Sequence, residues 1–102
     1  MIESVVSPSL AGLDEFPDDL FVLHHSATGK YGCFCHEGIH GLACFSSEVA
    51  AFRFAELIED AGMSSVELSF DEAREVAKAR PLPVVALMLL DSLLSPKIHY
   101  IR

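Results

Sequence analysis

Residues 45–62, FSSEVAAFRFAELIEDAG, decide the fold, because the hydrophobic period changes there. Up to Phe45 the apolar residues come in short runs between turn formers; from Val49 they recur at helical spacing. Ser46 or Ser47 can serve as N-cap and Glu48 falls in the electropositive first turn. Gly62 is placed to take the left-handed conformation that closes a helix. At about 100° per residue, Ala50, Ala51, Phe54, Ala55, Leu57, Ile58 and Ala61 form one stripe, predicted to face the core. Arg53, Glu56, Glu59 and Asp60 lie opposite. Phe52 falls among these charges with Val49 beside it, and the pair is the predicted protein-contact patch.

On the amino-terminal side, LFVLHH (20–25), KYGCFC (30–35) and IHGLACF (39–45) read as three strands joined by the turns SATG and HEG. Connections this short predict antiparallel neighbours. On the carboxyl-terminal side, SVELSF (65–70) reads as a strand. The following SFDEAREVAKARP is a second helix, with Ser69 and Glu72 at capping-box spacing, Ala73, Val76 and Ala77 facing inward, and Pro81 as its stop. VVALMLL (84–90) fits a central strand covered on both faces, although the run extended to Leu94 also suits a helix. The strand is preferred, because KIHYI (97–101) then supplies a hairpin partner after the connection DSLLSP.

The resulting order, βββαβαββ, predicts an α+β fold: a mixed sheet of about five to six strands with two helices. Right-handed connections are expected to place both helices on one side, as a two-layer sandwich. Residues 1–19 carry five acidic residues and no basic ones, with two prolines and a glycine, and are expected to form a flexible acidic leader before a single domain over 20–102.

The chain has 102 residues and is 51% hydrophobic, enough for one core and too little for two. Its formal charge of −8 repels a phosphate backbone, and no Lys/Arg cluster offsets it, so nucleic acid is not an expected partner. No apolar run approaches the roughly 20 residues of a membrane-spanning helix, and Glu3 stands where a signal peptide would carry positive charge. Three cysteines cannot all pair within one chain, which suits a reducing, cytoplasmic setting.

GCFCHEGIHGLAC (32–44) gathers every cysteine and two of the five histidines. Cys33, Cys35, His40 and Cys44 are residue types that zinc prefers. Yet the sulfurs of a tetrahedral site stand roughly 3.8 Å apart, whereas alternate residues of a strand are about 6.5–7 Å apart. Hairpin register decides the rest. With Cys35 opposite His40, the three cysteines and His40 share a face; with Phe34 opposite Leu42, His40 and Cys44 leave it. The favoured reading makes Cys33, Cys35 and Cys44 small buried hydrophobes and expects no cofactor. A zinc site, or a reactive Cys35 beside His36 or His40, is the alternative. No oxyanion hole is recognisable, so catalysis is not expected. ATGK (27–30) ends like a phosphate-binding loop but has His24 at the first glycine and Tyr31 at the magnesium-binding position; it reads as a turn.

Across residues 40–80, GLACFSSEVAAFRFAELIE and VELSFDEAREVAK resemble small bacterial α/β domains, including the amino-terminal domain of SseB-type proteins. That resemblance rests on a strand ending in Phe, a Ser or Thr cap and the aromatic–Ala pair Phe54–Ala55. It implies an α+β fold and a binding or scaffolding role without established chemistry, and it carries over no functional residue. The expected function is therefore a small cytoplasmic protein-interaction module, binding another protein or a second copy of itself.

Overall fold

A computed structural model describes residues 16–58, 62–80 and 83–102. The first fifteen residues of the expected leader, and Ala61 of the predicted helix stripe, lie outside them. Among the described residues seven strands form one mixed sheet: β1 (Asp19–His25), β2 (Lys30–Tyr31), β3 (Cys33–His36), β4 (Ile39–Phe45), β5 (Met63–Ser69), β6 (Val84–Leu89) and β7 (Lys97–Tyr100). Among the described residues two helices, α1 (Glu48–Leu57) and α2 (Phe70–Ala79), complete the α+β fold.

The strand count exceeds the expected five to six because the KYGCFC run splits at Gly32. β2 runs back along β1, with His24 opposite Tyr31, while β3 runs along β4, with Cys33 opposite Leu42. At the joint Gly32 donates its N–H to the Leu23 carbonyl and accepts from the Ala43 N–H. β1 and β4 pair directly only at Phe21–Phe45 and Val22–Cys44, so the sheet forks above that point and the two hairpins splay apart. The β3–β4 hairpin closes through Glu37 and Gly38, both with positive φ, the geometry that matches a two-residue turn to the twist of its strands.

The sheet order is β5–β1–β4–β6–β7. β4, β5 and β6 run parallel to one another, and β1 and β7 run against them. The predicted central strand is confirmed at β6, which is buried between β4 and β7. The layering corrects the two-layer expectation. α1 buries Ala51, Phe54 and Ala55 against Leu23, Ala43, Phe45 and Met88 on one face, while α2 buries Ala73 and Ala77 against Leu20, Val22, Leu42 and Leu87 on the other. The reason lies in the direction of travel. The β4–α1–β5 crossover moves one way across the sheet and β5–α2–β6 returns, so two crossovers of one hand fall on opposite faces.

Caps follow the sequence. Ser47 accepts from the Ala50 N–H at 3.1 Å, and Ser69 with Glu72 forms the reciprocal capping box. α1 ends at Leu57 with Ile58 as C-cap, one turn before Gly62. At the far end of α2 the Arg102 guanidinium donates to the Lys78 and Arg80 carbonyls, each at 2.7 Å, and to that of Val84. It satisfies carbonyls that a helix end leaves open. Phe16 is buried against Phe70 and His99, so packing begins three residues before β1. Among the described residues no helix is long and apolar enough to cross a membrane.

Candidate functional site

The register places Cys35 opposite His40, the first of the two alternatives. Cys33, Cys35, His40 and Cys44 therefore point to the α2 side of the sheet. They do not converge. Cys44 is fully buried beneath the sheet as expected, but Cys33 and Cys35 are exposed, which corrects the expectation that all three are buried: they sit on β3, an edge strand paired only with β4. Tyr31, which the uninterrupted strand would have set against Cys44, pairs instead with His24 across the β1–β2 hairpin. Among the described residues no three His, Cys, Asp or Glu side chains come close enough together to hold a metal ion.

The thiols differ in character. Burial pushes Cys44 strongly up from its ordinary value, and its Sγ donates weakly to the Leu42 carbonyl at 3.4 Å; it is the small hydrophobe that was expected. Cys33 is also raised, chiefly by burial, against the opposing pull of the Arg80 guanidinium beside it. An arginine next to a thiol normally favours the thiolate. Here desolvation outweighs it.

The surface feature absent from the sequence reading is a cleft of about 260 Å³ between α1 and the β6–β7 connection. Val49, Ala50, Arg53 and Leu57 line it from the helix, with Phe54 beneath; Leu90, Asp91 and Leu93 line it from the connection. Two interactions build it. Phe54 anchors α1 to the sheet through an edge contact with Phe34 and a tilted contact with Phe45, at ring separations of 5.8 and 5.4 Å. Asp91 then accepts the Ser46 N–H at 2.9 Å, tying the end of β6 to the start of the helix.

Among the described residues seven large hydrophobics are exposed: Val49, Phe52, Leu57, Ile58, Leu93, Leu94 and Tyr100. All but Tyr100 lie on α1, at its C-cap, or on the connection beside it. Val49 and Phe52 are exposed as the sequence suggests, but only Val49 lines the cleft. Leu57, placed by periodicity in the core stripe, is 67% exposed on the cleft side. The stripe is narrower than its apolar letters, because the sheet covers Ala51, Phe54 and Ala55, and Ala50 in part, while Leu57 and Ile58 stay exposed. Leu93 and Leu94 carried a legible signal, two adjacent leucines in a Ser- and Pro-bounded connection, that strand-and-helix patterning ignores.

No protein-family model matches this chain, and no curated protein matches it either.

Proposed function

We propose that this chain is a small protein-interaction module without catalytic chemistry, which meets its partner through the outer surface of α1 and the β6–β7 connection. The observation that carries the reading is the exposure of Val49, Leu57 and Leu93 around one cleft, with Phe52, Ile58 and Leu94 exposed on the same two segments of the chain. Scattered single hydrophobics are ordinary on a surface; exposed hydrophobics that share one cleft mark a place where another chain removes apolar area from water. Leu94, at 95% exposure, is the extreme case. The resemblance of residues 40–80 to SseB-type domains points to binding rather than chemistry as well. A cytoplasmic setting accords with three cysteines held free of disulfides.

The test is capture of binding partners by the full chain, compared with its Val49→Asp and Leu93→Asp variants and with Tyr100→Asp, at the end of β7 away from the connection. Partners retained by the wild type and Tyr100→Asp but lost by the two patch variants support the reading. Identical capture by all four proteins overturns it. Sedimentation at micromolar concentration separates a second copy of this chain from a different protein as the occupant.

A further inference from the structure

We propose that the cleft beside α1 receives the carboxyl-terminal residue of a partner chain, its large apolar side chain entering the cleft and its free carboxylate pairing with Arg53. The proposal rests on the interaction reading above and names the chemistry of the partner.

Topology explains why a cleft stands there. β4 and β6 are the adjacent parallel strands of the sheet, and beyond their carboxyl ends the chain departs in different directions. After Phe45 it climbs into α1 and travels toward β5; after Leu89 it turns back to β7. Such a divergence leaves a crevice that backbone does not fill, and crevices at the carboxyl ends of strands are where open sheets take ligands. At about 260 Å³ the space falls below the roughly 300–1,000 Å³ of small-molecule pockets. It suits a single residue.

The electrostatics select the occupant. Val49, Arg53 and Leu57 follow one another at four-residue spacing, so they line one flank of α1. The guanidinium thus rises from the middle of an apolar wall. Arg53 is exposed and makes no hydrogen bond or ion pair with any described residue, and it is the only basic side chain of α1. In a chain of net charge −8, it is a locally isolated attraction for an anion. Asp91, on the opposite lip, already accepts the Ser46 N–H through Oδ1; its Oδ2 offers an acceptor to the N–H of a docked residue and holds the carboxylate on the helix side.

An internal Asp or Glu fits less well. Successive side chains of an extended segment point to opposite faces, so an apolar residue and a neighbouring acid do not reach one wall together. A terminal residue carries both groups on the same Cα, as the cleft requires, and a guanidinium matches a carboxylate bidentately.

The experiment titrates the isotope-labelled full chain with acetyl-Gly-Ser-Val-Leu bearing a free carboxylate, with its carboxyl-terminal amide, and with a version ending in Ser, following backbone amide shifts. The free acid is expected to move the signals of Val49, Arg53, Leu57 and Leu93. Amidation is expected to weaken binding by about tenfold or more, the worth of a charge-assisted hydrogen bond, and the Ser-ended peptide to bind detectably less. Arg53→Gln should make acid and amide equivalent, while Arg53→Lys retains part of the preference. Equal binding of acid and amide by the wild type overturns the carboxylate assignment but leaves the interaction surface standing. Cleft signals unmoved by every peptide at millimolar concentration overturn the proposal outright, whereas the broader reading fails separately, by retention of partners in Val49→Asp and Leu93→Asp.

Discussion

The Asp91 carboxylate accepts the backbone N–H of Ser46 at 2.9 Å, joining two points 45 residues apart. Ser46 leaves β4 just before the N-cap Ser47, and Asp91 leaves β6 just after Leu90. The bond therefore pins the start of α1 to the end of the neighbouring strand and fixes one lip of the cleft. Asp91→Ala should lower stability by about 1–2 kcal/mol, the cost of a lost charge-assisted hydrogen bond. Asp91→Asn, which keeps an acceptor oxygen, should cost less. Urea denaturation of the three proteins checks the order, and an Asn variant as unstable as the Ala variant would refute the role of the acceptor.

Gly41 and Met88 are close enough that no side chain fits at position 41. A Cβ there would lie 2.7 Å from Met88 Cγ and 3.1 Å from the Ala86 carbonyl oxygen. The closeness accompanies a register shift, in which His40 faces Val84 and Gly41 faces Ala86. Gly41→Ala is expected to destabilise by about 1–3 kcal/mol through overpacking, roughly 4–8 °C in Tm per kcal/mol for a domain of this size. Shortening Met88 in the same background should recover only part of the loss, since the Ala86 carbonyl does not retreat.

How far the fold was legible follows from which residues speak locally. Ser47, Ser69 with Glu72, and the apolar run of β6 announce themselves through neighbours in sequence, and these elements stand where expected. The split of β2 from β3 is silent because it depends on Gly32 bonding at once to Leu23 and Ala43, residues on two other strands. The opposite placement of the helices is silent for a related reason: a handedness rule names a face only once the direction of each crossover is known. The same gap hid the cleft. Leu57 belongs to the apolar stripe by spacing, and only the reach of the sheet beneath α1 shows that it faces outward.

The cysteines should separate cleanly by reactivity. Cys33 and Cys35 are exposed while Cys44 is fully buried, so titration with an aromatic disulfide should count two thiols in the native protein and three after denaturation. Although its side chain reaches solvent, partial desolvation by its neighbours holds Cys33 above its ordinary value, so its rate should keep climbing as pH rises through and beyond the usual thiol range near 8.5. A Cys35→Ser variant isolates that rate. Reaction of Cys44 under native conditions would mean that the sheet opens around it.

His99 packs against Phe16 and Phe70 at ring separations of 6.0 and 5.1 Å, and its basicity is lowered first by burial and then by the charge of Arg74. The folded state therefore prefers the neutral ring. Stability from this group is fully present above the unfolded value near 6.5. As pH falls below it, the unfolded chain takes up a proton that the native site resists, and stability is lost until the lowered native value is passed. Wild type should lose more stability between pH 7.5 and 5.5 than His99→Gln, which keeps the other four histidines and so cancels their contribution. Chemical denaturation of both proteins at the two pH values gives the comparison. If their losses are equal, the aromatic enclosure does not disfavour the charged ring.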